Sequence, residues 1–134
     1  MNPTNQPTYI KRAVILIIFA LALSFIKLGI DYDYISSIAP IRFTIIGLVC
    51  TVLIVLFLAY KIWTGRNWAR IIFTVFFVIG IYPALLLLPV EAHRNVVVLL
   101  ASSLQISLQT VAIIYMFLPI SNAWFKSVKQ AKST

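Results

Sequence analysis

The side chains that could carry out acid-base chemistry or bind a metal ion are few, and they lie in two short polar segments. They are the three acidic residues of the chain and its one histidine: Asp31, Asp33, Glu91 and His93. A catalytic or metal site would need these groups held together, and two separate loops provide no such pattern. We therefore expect no enzyme, no metal site and no cofactor. We interpret these groups, together with Lys27 and Arg94, as solvated loop charges and snorkelling helix-end cations.

A series of polar residues within one apolar run is the strongest candidate for a binding site. Its members are Ser102, Ser103, Gln105, Ser107, Gln109 and Thr110. In a helix they cover more than half of the circumference, opposite an apolar stripe through Leu100, Leu104 and Val111. Because amides in hydrocarbon must find partners, this face predicts either a polar cavity for a ligand or ion or hydrogen bonds that hold helices together. Of the two, the sequence favours hydrogen-bonded packing.

The polar break in the middle of the chain combines tryptophans, cations and a glycine. Residues 61–70 place Gly65 at a bend between two apolar runs, and aromatic and cationic side chains suit the boundary between membrane and water. The predicted interface anchors are Trp63, Arg66, Trp68, Arg70 and Trp124. Arg70, at the start of a predicted helix, is also suited to bind a lipid phosphate or a partner carboxylate.

Two short motifs carry a resemblance to a known group of proteins. One is the G-x-x-W-A-R turn at 65–70, and the other is the Trp124-Phe125 pair after the last apolar run. With them the chain resembles small four-helix proteins of the bacterial inner membrane. The resemblance implies a bacterial source and a helical bundle, and it brings no assigned chemistry or site residues.

The composition identifies the elements that must position these residues. The chain has 134 residues, of which 62% are hydrophobic and 10% charged, and its mean hydropathy is +1.02, as in a membrane protein. We predict an all-α fold with four transmembrane helices in an antiparallel bundle. The spans cover about residues 10–30, 41–63, 68–88 and 96–118, and an amphipathic cytoplasmic tail follows at 121–134. Ala20 and Ala22 also resemble a signal-peptide cleavage site, but the apolar run continues to Ile30, which favours an uncleaved anchor.

Several residues predict details of these helices. Pro83 should kink the third span, and Pro89 should end it. Pairs of small residues four apart, such as Gly47 with Thr51, predict close helix packing or a homodimer face. In the tail, Trp124, Phe125, Val128 and Ala131 share one helical face, which predicts a helix lying on the bilayer surface.

The distribution of charge predicts the orientation. Eight of the eleven Lys and Arg residues fall in the N-terminal segment, the central turn and the C-terminal tail, and all three acids fall on the opposite side. By the positive-inside rule, both termini are cytoplasmic in a bacterial inner membrane. The net charge of +8 is scattered among apolar runs, so we expect contact with anionic lipid headgroups and no nucleic acid.

The sequence leaves the function open between two classes. The favoured one is a non-enzymatic accessory, regulatory or toxin-immunity subunit that contacts a membrane partner, or a second copy of itself, through its helices. The alternative is a small transporter or lipophilic-ligand-binding protein that uses the polar face at 102–110. A holin-like pore former is a third class, based only on size and the basic tail.

Overall fold

The computed structural model describes residues 6–131, and this part of the chain is almost entirely helical. Its elements are α1 (Thr8–Ile30), α2 (Tyr32–Ile38), α3 (Ile41–Trp63), α4 (Asn67–Arg94), α5 (Val96–Phe117) and α6 (Pro119–Ala131). Four of these helices, α1, α3, α4 and α5, are long and apolar enough to cross a membrane. The prediction of an all-α fold is confirmed for residues 6–131, and so is the prediction of four helices that are long and apolar enough to span a membrane.

Prolines and one asparagine mark three of the five junctions between consecutive helices. Ala39 is extended before Pro40, as a residue preceding proline usually is, and α3 begins directly afterwards. Asn95 alone joins α4 to α5, and its side-chain oxygen accepts a hydrogen bond from the N–H of Val97 at 2.9 Å. Such a cap satisfies one of the free N–H groups at the start of a helix. Leu118 is extended before Pro119, which opens α6.

Helix α4 is longer than the sequence predicts. It continues through Pro83 and Pro89 and ends at Arg94, so the predicted end near residue 88 is wrong. Each proline removes one backbone hydrogen bond, but a membrane helix tolerates this where its neighbours support it. The predicted loop at 91–95 is therefore helical except for Asn95. The last helical residues of α4, 91–94, follow the end of the apolar run.

The four spans pack as a ring in which each contacts two others. Helix α1 contacts α3 and α5, and α4 contacts the same two. The buried residues of α1 extend from Ile10 to Leu21, and those of α5 from Val98 to Met116. Helices α3 and α4 bury residues only beside the turn that joins them, with the exception of Glu91. The packed core therefore lies mainly at one end of the bundle.

We call this packed end the turn end, because it contains the central turn and α6, and the opposite end the loop end. At the turn end, the Gln6 amide donates to the carbonyl oxygen of Trp63 at 3.1 Å. The rings of Tyr9 and Tyr115 also meet there, with centroids 5.6 Å apart. The start of α1 is thus held against the ends of α3 and α5.

Helix α6 packs on the protein rather than lying free on a bilayer. Trp124, Phe125 and Val128 are buried in the core, whereas Ala131 is exposed. The central turn makes this packing possible, because Gly65 has φ +77° and a Cβ there would lie 2.9 Å from a Val128 methyl carbon. The predicted helix and its apolar face are present between 119 and 131, but that face covers the turn end. Residues 132–134 of the predicted tail lie outside the described part.

The small residues Gly47 and Gly80 do not bring helices together within the described part of the chain. A Cβ added at Gly47 or Gly80 would have no neighbour within 4 Å. Thr51 is exposed, and its hydroxyl donates to the carbonyl oxygen of Gly47 within the same helix. These positions face open space because α3 and α4 lack close neighbours away from the turn end.

Candidate ligand-binding cleft

The polar face of α5 divides into two halves with different surroundings. Ser103, Ser107 and Thr110 are exposed, and each hydroxyl donates to the carbonyl oxygen four residues earlier, at 2.8 to 2.9 Å. Their hydrogen bonds are therefore satisfied within α5. Of the predicted polar face, these three residues lie on the exposed side of α5 with Leu104 and Val111 and do not line a cavity.

The other three residues line a cavity between α3, α4 and α5. Ser102 is 5% exposed, and Gln105 and Gln109 are half-buried on the cavity wall. The cavity has a volume of about 310 Å³. Its other walls are mainly apolar and include Val55, Leu58, Phe73, Phe76, Phe77, Gly80, Ile81, Ala84 and Leu87.

The polar groups of this wall are not used for packing between helices. Among residues 6–131, the buried Ser102 hydroxyl has no hydrogen-bond partner. The side-chain amides of Gln105 and Gln109 likewise form no hydrogen bond within the described part of the chain. Interhelical bonds of the kind favoured from the sequence are therefore not found at these two glutamines. Both amides retain donors and acceptors for a molecule in the cavity.

A partly buried ion pair lines the cavity at the loop end. The Lys27 ammonium lies 3.2 Å from Glu91 Oε1, and Glu91 is only 7% exposed. The interpretation of Glu91 as a solvated loop charge is wrong, because the extension of α4 past Pro89 turns this carboxylate into the bundle. Glu91 Oε2 has no partner among the described residues.

A second cavity of about 340 Å³ lies on the other side of this ion pair. Both cavities share Lys27, Leu87, Glu91 and Gln105 as wall residues. We call the two cavities together the cleft. The walls specific to the second cavity come from the ends of α1 and α4, from α2 and from the start of α3: Ser24, Leu28, Asp31, Tyr34, Ile35, Ile38, Thr44, Leu48, Val90 and Arg94.

Arg94 organises the polar side of the second cavity. Its Nη2 lies 2.6 Å from Asp31 Oδ2, and its guanidinium carbon lies 3.5 Å from the centre of the Tyr34 ring. The Nε and Nη1 atoms of Arg94 are buried and have no partner within residues 6–131. Lys27, four residues before Asp31, pairs instead with Glu91 across the bundle.

The predicted interface anchors separate into exposed and buried groups. Trp63, Arg66 and Trp68 are exposed at the turn end, as an anchor at a membrane boundary requires. Arg70 is 8% exposed and Trp124 is 3% exposed, so both belong to the core. Their burial follows from the docking of α6 over the central turn.

Arg70 is engaged by the protein itself. Its Nε donates to Asn67 at 2.6 Å, and its Nη1 donates to the Met116 carbonyl oxygen at 2.8 Å and to the Asn122 side-chain oxygen at 2.6 Å. The guanidinium also lies over the rings of Phe117 and Phe125. These groups hold α4, α5 and α6 together, and the predicted contact of Arg70 with a lipid phosphate or a partner carboxylate stays a prediction.

The roles of three residues in these sites could not be predicted from the sequence. Lys27 lies in the predicted first span and Glu91 in a predicted loop, and nothing in their spacing shows that they meet. Asn122 carried no signal, since asparagine after a helix-ending proline is ordinary turn chemistry.

The four long apolar helices indicate a multi-pass helical membrane protein. The cleft between them has mainly apolar walls toward the turn end and charged residues at the loop end. No protein-family model matches the chain, and neither the curated proteins nor the solved structures contain a match to it.

Proposed function

We propose that this chain is a protein of the bacterial inner membrane that binds a lipophilic or amphiphilic small molecule in the cleft and does not catalyse a reaction. One observation carries the proposal: Gln105 and Gln109 line an otherwise apolar cavity and form no hydrogen bond within the described residues. An unbonded amide in hydrocarbon is costly, and a bound molecule with a polar group would offset that cost.

The size and lining of the cleft support the same proposal. A volume of about 310 Å³ lies within the usual range for ligand pockets, which are mostly apolar with a few polar groups that fix orientation. Phe76 and Leu87 line the cavity and remain about half exposed on the surface of the bundle. A ligand could therefore enter sideways from the hydrocarbon, between α3 and α4 or between α4 and α5.

The proposed topology is an antiparallel bundle with both termini in the cytoplasm. The contacts of Gln6 with Trp63 and of Tyr9 with Tyr115 support the antiparallel order, because each joins the start of α1 to the end of another span. Most Lys and Arg residues lie at the turn end, whereas all three acids lie at the loop end. The positive-inside rule then favours a cytoplasmic turn end in contact with anionic lipids.

The test is photolabelling in vesicles with a diazirine-bearing fatty alcohol, a neutral lipophilic probe. We expect saturable labelling of the α4 and α5 peptides that line the cavity. Gly80→Leu should block it, because Gly80 lines the cavity and has room for a side chain. Gly47→Leu is the matched control, since Gly47 is equally open but lines neither cavity of the cleft. Non-saturable labelling, or equal labelling of both variants, would contradict ligand binding in the cleft.

A second candidate function is contact with another membrane protein or a second copy, as an accessory, regulatory or immunity subunit. The open face of α3 favours it, because nothing lies within 4 Å of a Cβ at Gly47, and Cys50 on the same face is exposed. A helix could approach such a face closely. For a homodimer, oxidation in native membranes should link Cys50 of two copies, and Gly47→Leu should prevent the link. Absence of a disulfide-linked dimer in the unsubstituted protein would contradict that homodimer.

A further inference from the structure

The loop end of the cleft contains both a hydrogen-bond acceptor and hydrogen-bond donors that have no partner within the described residues. Glu91 Oε2 is a buried acceptor, and Arg94 Nε and Nη1 are buried donors, all three without a partner among residues 6–131. Buried polar groups in proteins nearly always form hydrogen bonds, and a buried donor or acceptor without a hydrogen bond costs free energy. These three atoms therefore point to a molecule that brings both a donor and an acceptor.

The arrangement of charges defines the overall charge of that molecule. Two cations, Lys27 and Arg94, and two acids, Asp31 and Glu91, form the two ion pairs at 3.2 and 2.6 Å. Because the four charges sum to zero, the site has no net attraction for an anion or a cation. Glu91 and Arg94 are three residues apart on α4, so they lie as neighbours on its surface. A ligand with a positive donor beside a negative acceptor matches this pair.

The position of the pair along α4 agrees with the depth of a lipid headgroup. Arg70 and Glu91 are 21 residues apart, which is about 32 Å of α-helix. This length is close to the roughly 30 Å thickness of a bilayer's hydrocarbon core. With Arg70 near one boundary, Glu91 and Arg94 lie near the other, and the apolar walls at Phe76 and Phe77 lie below them in the hydrocarbon.

We propose, building on ligand binding in the cleft, that the ligand is a zwitterionic phospholipid with a primary ammonium headgroup. The ammonium donates to Glu91 Oε2, and the phosphate accepts from Arg94 Nε and Nη1. The acyl chains extend along the apolar walls toward Phe73 and leave between the helices. A quaternary ammonium carries no N–H, so it cannot satisfy Glu91 Oε2, and a lipid without an amine offers that oxygen no charged donor.

The test uses the purified full-length chain with equal amounts of phosphatidylethanolamine, phosphatidylcholine and phosphatidylglycerol in detergent micelles. Native mass spectrometry measures which lipid remains bound. We expect phosphatidylethanolamine to be retained at least about tenfold over each of the others, which corresponds to one charge-assisted hydrogen bond. Equal retention of all three lipids would overturn the proposal.

Substitutions identify the two halves of the headgroup. Glu91→Gln should remove the preference for phosphatidylethanolamine over phosphatidylcholine, and Arg94→Gln should weaken retention of both. The matched controls are Asp33→Asn and Arg42→Gln, which alter exposed charges near the same end of the bundle and should retain the preference. Because Glu91→Gln leaves Lys27 without its partner, the double variant Lys27→Gln with Glu91→Gln is a second test that leaves no lone buried charge. An unchanged preference in both Glu91 variants would overturn the proposal.

A soluble headgroup distinguishes a lipid from a free zwitterion. Phosphoethanolamine should not displace the bound lipid at equal concentration, because it lacks the acyl chains that fill the apolar walls. Displacement at equal concentration would overturn the lipid as ligand. Failure here is separable from failure of the proposed function: saturable labelling by the fatty alcohol without any headgroup preference rejects the phospholipid alone, whereas loss of that labelling rejects binding in the cleft.

Discussion

The guanidinium of Arg70 donates to the side-chain oxygen of Asn122 at 2.6 Å, and this bond joins the start of α4 to α6. Asn122 in turn donates through its amide to the carbonyl oxygen of Phe117 at 2.9 Å. The pair thus satisfies a carbonyl at the end of α5, where the helix has no further N–H to offer. Arg70 and Asn122 thus form a polar connection between α4 and α6 at the turn end of the bundle.

Substitution of Arg70 should release α6 from the bundle. Arg70→Lys keeps the charge but loses the planar arrangement of donors that reaches Asn67, Met116 and Asn122 together. We expect it to lower the free energy of unfolding by about 2–3 kcal/mol and to make α6 easier for trypsin to cleave at Lys126 and Lys129, because a released helix unfolds more readily. Arg66→Lys is the control, since Arg66 is exposed in the same turn. Thermal unfolding and limited proteolysis measure both effects, and identical behaviour of the two variants would contradict this role of Arg70.

The turn itself should be intolerant of a side chain at Gly65. Its φ of +77° is strained for any other residue, and a Cβ would lie 2.9 Å from Val128 Cγ1. We expect Gly65→Ala to cost about 1–3 kcal/mol of unfolding free energy, from strain and overpacking together. Adding Val128→Ala should relieve the steric part but not the backbone strain. Thermal unfolding tests this, with Gly47→Ala as a control that has free space; a fully stable Gly65→Ala would contradict the prediction.

The spanning helices could be predicted because each apolar run is long enough to cross a membrane and is bounded by prolines, charges or Gly65. The apolar face of α6 was also visible in the spacing of Trp124, Phe125 and Val128. What that face packs against was not, because burial against protein and burial in a bilayer select the same apolar residues. Only the missing side chain at Gly65 distinguishes the two, and its effect depends on how closely α6 approaches.

The charged end of the cleft could not be predicted for a different reason. A proline usually ends a helix, so Pro89 assigned Glu91 to a loop, and a loop carboxylate is normally solvated. Because α4 continues past Pro89, Glu91 is helical and its side chain is buried. Which side of the α5 polar face lines a cavity was similarly hidden, because periodicity shows which residues share a side but not which neighbour lies beside it.

The proposed orientation predicts which residues a membrane-impermeant thiol reagent can reach. In a Cys50→Ser background, Arg66→Cys should be protected from a reagent added outside intact cells, because the basic turn end faces the cytoplasm. His93→Cys, an exposed position at the loop end, should react from outside. Mass shifts after labelling of intact cells and of opened membranes compare the two. Reaction of the cysteine at 66 from outside would reverse the proposed topology.

Gln105 and Gln109 separate ligand binding from packing most directly. Because neither amide forms a hydrogen bond within the described residues, Gln105→Leu and Gln109→Leu should leave the free energy of unfolding unchanged or raise it slightly. Saturable labelling by the fatty alcohol should fall by about tenfold, as expected for the loss of one hydrogen bond to the hydroxyl group of the probe.

The matched controls for these two variants are Ser103→Leu and Ser107→Leu. Both serines lie on the exposed side of the same helix and bond only to its backbone, so labelling of the cleft should not change. If the glutamine variants unfold at lower temperature and label normally, the amides support packing and not a ligand. The opposite result, normal stability with lost labelling, would show that α5 retains two glutamines in an apolar environment because a bound molecule, rather than another helix, satisfies them.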